Sequence, residues 1–239
     1  MTTEKNAFSL IIPLMRKSSI QRTVDYYASL PDETLSEIIL VDFDHPYTQA
    51  NGLQRPLDRV RVIEVKGHHF FNKSIALNIG CHFAKWDRLI VCDADVLIRK
   101  ETLISWMSID HNDDICKYLG VVIESETAER RKGFGICTFS KRCFHRIGGY
   151  DSRYLGWGFE DRDYLERLRL SGVTVIEDGE GIHLTHSDEE RTRNYHSDDK
   201  LQMRQKNLVR YDALLEGNEM REGTLTADLN AFLKQREGR

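Results

Sequence analysis

Four short apolar, mostly β-branched runs constrain the fold of this chain most: FSLIIPL at 8–14, EIILV at 37–41, VRVIEV at 60–65 and RLIVC at 88–92. Such runs read as strands covered on both faces, the signature of a mostly parallel sheet packed between helices. Between them Ile20, Val24 and Ala28, and then Ile75, Ile79 and Phe83, recur at helical spacing. The alternation predicts an α/β domain. Further strands are expected at YLGVVI (118–123), FGICTF (134–139) and VTVIE (173–177), with a helix over 160–170 closed by Gly172. From Ser187 the composition turns polar, and LQMRQKNLVRYDALL then resumes a helical pattern. Residues from about 218 are expected to be weakly ordered or peripheral.

A chain of 239 residues, 40% hydrophobic, can bury a substantial core as one domain with a short appendage. A net charge of -4 supplies no large basic field, so neither nucleic acid nor a membrane surface is an expected partner. The opening MTTEKNAFSLIIPLMRK carries an apolar run far shorter than a membrane span, and a cytoplasmic location is expected. The five cysteines are scattered through apolar stretches without a Cys-x-x-Cys pair, which predicts buried free thiols.

Ligands of open α/β sheets sit beyond the carboxyl ends of the strands, so the residues following each strand carry the functional signal. Asp93 and Asp95 follow the fourth strand. Two positions apart in an extended segment, both carboxylates can face one hard cation or one ribose. His183 and His186 follow the last strand and can meet a metal from one side, the alternative being a pair of surface imidazoles. Asp95 with a histidine gives mixed oxygen and nitrogen ligands suited to Mn²⁺ or Mg²⁺. Glu160 and Asp161 begin a helix, where acids favour the positive end of the helix dipole or, alternatively, where one carboxylate can face a cleft and take a proton.

Four ordered blocks carry a resemblance to a known family: IIPLMRK at 11–17, FNKSIALNIG at 71–80, CDADV at 92–96 and RIGGYDSRYLGWGFEDRDYLERL at 146–168, followed by IHLTHS at 182–187. In these the chain resembles GT-A glycosyltransferases, specifically the β-1,4-galactosyltransferase group and the related carboxyl-terminal region of bacterial chondroitin polymerases. The resemblance implies a GT-A catalytic domain over 1–190, with a mostly parallel central sheet flanked by helices, and a lid segment with a helical extension over 191–239. It implies a UDP-sugar donor, Mn²⁺ (or Mg²⁺) and a carbohydrate or glycoconjugate acceptor. Asp95 and His186 match metal ligands, and His183 falls where galactosyltransferases have a methionine ligand. Asp93 matches a residue that approaches the ribose or a metal-bound water. Lys73 stands in place of an arginine that meets the diphosphate, and Trp157 matches the tryptophan of a mobile loop over the donor. Asp161 matches the catalytic base, with Glu160 beside it to orient sugar hydroxyls. Pro13 and Arg16 match the nucleotide-binding turn, and Asp42 matches an aspartate that meets the uracil, an Asx turn with Asp44 being the other reading.

Departures from the family bear on the donor. Gly133 aligns with a tyrosine that restricts the pocket near the sugar 2-substituent, which would leave room for an N-acetyl group. Ile136 and Phe159 replace glycines and could refill that space. Asn78 is expected to hydrogen-bond backbone, and Arg153 and Arg162 either approach an anionic acceptor or pair on the surface. Two other readings are a sugar nucleotidyltransferase and a catalytically silent sugar-binding protein of the same fold. The first would be expected to show a glycine-rich phosphate loop near the amino terminus, and IIPLMRKSSI has no glycine.

Overall fold

The structure, a computed structural model, describes residues 7–15, 20–31, 35–43, 58–109, 114–187, 189, 193–197, 199–217 and 221–237. Along the chain the elements are β1 (Phe8–Leu14), α1 (Ile20–Ala28), β2 (Glu37–Phe43), β3 (Val60–Val65), α2 (Lys73–Phe83), β4 (Arg88–Val91), β5 (Val96–Ile98), α3 (Lys100–Met107), β6 (Ile115–Glu124), β7 (Arg130–Ser140), α4 (Lys141–Arg146), α5 (Glu160–Leu170), β8 (Thr174–Glu177), β9 (Glu180–His183), α6 (Lys200–Gly217) and α7 (Leu225–Glu237). They build one nine-stranded sheet of order β3-β2-β1-β4-β7-β6-β9-β5, with β8 also pairing with β6.

Three of the four apolar runs behave as their composition requires, whereas β3, at the edge of the sheet, is buried only at Val65. Every residue of β1, β2 and β4 is buried. Alternate side chains enter two separate cores: Ile11, Ile39 and Val41 on the α2 side, and Leu10, Ile12, Ile38 and Leu40 on the α1 side. The strands β3, β2, β1 and β4 are all parallel, and β7 then joins β4 antiparallel. Helix α2 approaches the sheet so closely that a Cβ on Gly80 would lie 2.5 Å from Ile11 Cγ2. Glycine is what permits that contact.

The short strands β5 and β9, three and four residues long, and helices α3 and α4 escaped the sequence reading. Segments this short carry only about two periods, too few to separate a pattern from chance. The carboxyl-terminal expectation requires correction. Residues 225–237 form helix α7, which lies on α2 through Phe232 and Phe83, whose ring centroids are 5.7 Å apart. Asn78, wholly buried on α2, donates to Asp228 Oδ2 at 2.7 Å and to the Tyr150 carbonyl at 3.0 Å, and accepts from Tyr150 N at 2.7 Å. This is the structural role expected of Asn78. The helix belongs to the expected helical extension, and its order rests on buried polar Asp228 as well as on Leu225 and Phe232. All five cysteines are free and buried, as expected. Among the described residues no helix is long and apolar enough to cross a membrane.

Candidate active site

The carboxyl ends of β1 and β4, the inner edge of β7 and the amino terminus of α5 enclose a cavity of about 500 Å³, the size of a nucleotide-sugar pocket. Pro13, Lys73, Asp93, Asp95, Trp157 and Asp161 all line it. Asp42 is buried at 2% exposure on β2 and lies outside this lining. Arg16 and Asp44 fall outside the described residues.

One wall holds a three-residue cluster. Asp95 follows β4, His183 ends β9, and His186 lies three residues beyond it. One ligand atom from each lies within 4.8 Å of the others. His186 Nε2 is 2.8 Å from Asp95 Oδ2 and His183 Nε2 is 3.6 Å from Asp95 Oδ1. The short β5–β9 pairing sets this up, with Val96 in register with His183 and Leu184 N donating to the Asp95 carbonyl at 2.7 Å. The opposite nitrogens of both rings face acceptors: His183 Nδ1 lies 2.6 Å from Glu124 Oε2, and His186 Nδ1 lies 3.0 Å from the Ser187 carbonyl. A proton on each Nδ1 leaves both Nε2 lone pairs directed at the Asp95 carboxylate. Two lone pairs converging on an anion fit a shared divalent cation, and the nitrogen and oxygen donors suit Mn²⁺. The residues therefore fit the metal that the resemblance implies.

The facing wall is built on α5. Its amino cap, Phe159, has φ of +73° and contributes no side-chain cap. This left-handed position, a glycine in the related sequences, is held in Phe159 by stacking against Tyr211 at 5.4 Å and Arg204 at 5.3 Å. Preceding it, Gly156 and Gly158 also take positive φ, and Asn207 on α6 donates to the carbonyls of Leu155 and Gly158 at 3.1 and 2.9 Å. These bonds tie the Trp157 turn to α6. Lys200 sits 4.6 Å over the Trp157 ring.

Lys73 opens α2 behind the Asn72 cap, whose side chain accepts from Ile75 N at 3.1 Å. Its ammonium bridges Asp93 Oδ1 at 2.7 Å and Asp161 Oδ2 at 3.1 Å. Burial pushes the Lys73 pKa down, but the charges of Asp161, Asp93 and Glu160 outweigh it and hold the ammonium well above its usual value. A Cβ on Gly135 of β7 would lie 2.5 Å from Asp161 Oδ2 and 2.7 Å from Lys73 Nζ, so glycine makes space for the pair. Burial raises the pKa of Asp161, with Lys73 opposing. Burial and the neighbouring Asp161 push Glu160 up to about 8. Glu160 Oε2 and Asp161 Oδ1 are buried without a hydrogen-bond partner.

Several residues enter only through the tertiary structure. Asn194 donates to the Met15 carbonyl, and Phe71 N donates to the Asn194 carbonyl at 2.8 Å, which fixes residues 193–197 across the mouth of the cavity. Tyr195 lines the cavity beside Phe71, with ring centroids 6.0 Å apart. Glu124 was likewise missed, since its only sequence signal is an acid at the end of an apolar strand. Arg162 lines the cavity and lies 4.7 Å over Phe134, whereas Arg153 pairs with Asp151 Oδ1 at 2.7 Å. Gly133 lines the cavity, and a Cβ there would meet Val122 Cγ2 at 2.7 Å and Leu119 Cβ at 2.8 Å, so the missing side chain also makes room for packing against β6.

Comparison with known proteins agrees with this architecture. Residues 124–187 match the family model described as the N-terminal domain of galactosyltransferase. β-1,4-galactosyltransferase 3 of Cricetulus griseus is 27% identical over 144 residues, covering 55% of this chain and 33% of that protein. β-1,4-galactosyltransferase 4 of Rattus norvegicus is 30% identical over 146 residues, covering 58% of this chain and 40% of that protein. The chain thus spans well under half the length of these relatives. Among solved structures, one described as GalNAc-T7 with UDP, GalNAc and Mn²⁺ superposes with a TM-score of 0.65 at 18% identity, over 86% of this chain and 47% of that one. The chain has the GT-A glycosyltransferase fold and is similar in sequence to the β-1,4-galactosyltransferase group.

Proposed function

We propose that this chain is a metal-dependent, inverting glycosyltransferase that moves a hexose or N-acetylhexosamine from a UDP-sugar to a hydroxyl of a carbohydrate or glycoconjugate acceptor. The observation that carries the reading is one cavity with a histidine–carboxylate cluster on one wall and a lysine-held carboxylate pair on the other. Mn²⁺ or Mg²⁺ held by Asp95, His183 and His186 would supply Lewis-acid neutralisation of the charge on the departing diphosphate. Pro13 and Asp93, both in the cavity lining, are assigned to the nucleotide end, and buried Asp42 lies behind it. Lys73 is a point charge for the diphosphate as well as the holder of Asp161.

Asp161 takes the proton of the acceptor hydroxyl as that oxygen attacks the anomeric carbon opposite the leaving group. Burial raises its pKa, which makes the carboxylate a stronger base, and the Lys73 charge opposes that shift. A single displacement inverts the centre, so an α-linked donor yields a β-linkage. Glu160 orients sugar hydroxyls beside it. Trp157 with Asn194 and Tyr195 covers the donor and excludes water, a role that the hydrogen bond of Asn194 to the Met15 carbonyl and the place of Tyr195 in the cavity lining support. The Asp93-Ala94-Asp95 segment serves as the metal and ribose motif of the fold. Polysaccharide or glycoconjugate synthesis in the cytoplasm is part of the same reading, and five buried free thiols support a reducing compartment.

The test is UDP release from a panel of UDP-sugars with Mn²⁺, with and without EDTA, comparing wild type with Asp95→Ala and Asp161→Asn. We expect metal-dependent release from one donor, lost in Asp95→Ala, and lost in Asp161→Asn with donor binding retained. Failure to bind any UDP-sugar in the presence of Mn²⁺ would sink the assignment and favour the nucleotidyltransferase. UDP-sugar binding without turnover would favour the catalytically silent protein.

A further inference from the structure

Strands β6 and β9 run parallel with Glu124 in register opposite His183, at the point where β9 delivers that histidine to the cavity wall. The ring is 3% exposed and the Glu124 carboxylate 14%, with His183 Nδ1 and Glu124 Oε2 2.6 Å apart. Two further groups hold the carboxylate: Arg131 Nε donates to Oε1 at 3.0 Å and Thr185 Oγ1 to Oε2 at 3.4 Å. A carboxylate paired with a guanidinium is an acceptor, so the contact with His183 requires the ring proton on Nδ1. Nε2 is thereby left with its lone pair toward Asp95. The thioether at this position in the galactosyltransferases would have no tautomer to set, whereas an imidazole without a fixed partner could present either nitrogen in either state.

We propose that Glu124 is a positioning residue of the metal centre: it fixes the tautomer and ring orientation of His183, so that this histidine ligates in place of the methionine found in related sequences. The inference rests on the metal reading above. Because Glu124 comes from β6 and its partner Arg131 from β7, the metal centre is anchored to two strands that supply none of its ligands. A partner of this kind orients the ligand and raises its basicity, and its loss typically lowers metal affinity about 10- to 100-fold.

The test is a double-mutant cycle on the full chain, read as Mn²⁺ affinity from the electron paramagnetic resonance of free Mn²⁺, without nucleotide. We expect Glu124→Leu to weaken Mn²⁺ binding about 10- to 100-fold, and Glu124→Gln to weaken it less, because the amide oxygen can still accept from Nδ1. In a His183→Met background the same Glu124→Leu change should leave Mn²⁺ affinity unaltered, since no tautomer remains to be set. Melting curves establish that each variant is folded. An equal loss in both backgrounds would make Glu124 a support of the strand pair only and overturn the proposal, as would an unchanged affinity in the His183 background. His186→Ala serves to separate the two ideas. If it leaves Mn²⁺ binding intact, or if the wild type binds no Mn²⁺, the metal centre itself is misassigned and the role of Glu124 falls with it.

Discussion

Replacing Glu160 by glutamine should stabilise the protein at alkaline pH and not at acidic pH. Glu160 is the first residue of α5, 8% exposed, and its Oε2 has no hydrogen-bond partner. Asp161, Lys73, Asp93 and Tyr195 face it. Burial, then the charge of Asp161, pushes its pKa from 4.5 to about 8, against the opposing charge of Lys73. The folded protein therefore keeps a proton that the unfolded chain gives up near 4.5. Stability falls as pH rises through that window, and the cost is complete above about 8. A displacement of that size corresponds to roughly 5 kcal/mol at about 1.36 kcal/mol per pH unit. Glutamine removes the charge but must bury an amide with unsatisfied donors, which costs about 1–3 kcal/mol, leaving a net gain of about 2–4 kcal/mol. In a chain of 239 residues each kcal/mol moves Tm by about 2–4 °C, so the variant should melt roughly 4–16 °C above wild type near pH 9. Near pH 5 the amide penalty alone remains, and the difference should vanish or reverse. Differential scanning calorimetry across this range in EDTA, which removes any metal contribution, measures both. A Tm difference that does not change with pH would refute the argument, because only an ionisation that differs between folded and unfolded chains can produce the slope.

Two further perturbations test separate parts of the structure. Gly135→Ala would place a methyl 2.5 Å from Asp161 Oδ2 and 2.7 Å from Lys73 Nζ. UDP release should fall by about tenfold or more as Asp161 is displaced, while Mn²⁺ affinity should stay unchanged because the metal cluster lies on the other wall. Asn78→Leu removes three hydrogen bonds that join α2 to Tyr150 and α7 and leaves Asp228 with Thr224 and Ser152 as its donors. A loss of about 2–4 kcal/mol in urea unfolding is expected, together with faster proteolysis of the carboxyl-terminal helix, and an unchanged midpoint would show that α7 is held by its apolar contacts alone.

The parallel half of the sheet was legible because strands buried on both faces need mostly apolar residues, and β1, β2 and β4 have them at all positions but Ser9, Glu37, Asp42 and Arg88. Helix α5 was legible for a local reason as well, since its acidic first turn and Gly172 mark both ends. Lys73, Asp93, Asp95, Trp157 and Asp161 could be nominated from short motifs and do line one cavity. The docking of helix α7 was not legible, because it depends on the buried hydrogen bond between Asn78 and Asp228, 150 residues apart. The close approach of Val122 and Leu119 to Gly133 was not legible, because it is made by a neighbouring strand.

By itself, then, the sequence determined the α/β class, the strand positions in the amino-terminal half and the residue types available for chemistry, because these follow from local periodicity and from what each side chain can donate or accept. The tertiary structure alone decided which of those groups act together. The bridging of Asp93 and Asp161 by Lys73, and the registry that sets Glu124 against His183, join residues far apart in the chain. Electrostatic coupling depends on distance and burial in space, and neither is encoded in any single stretch of the sequence.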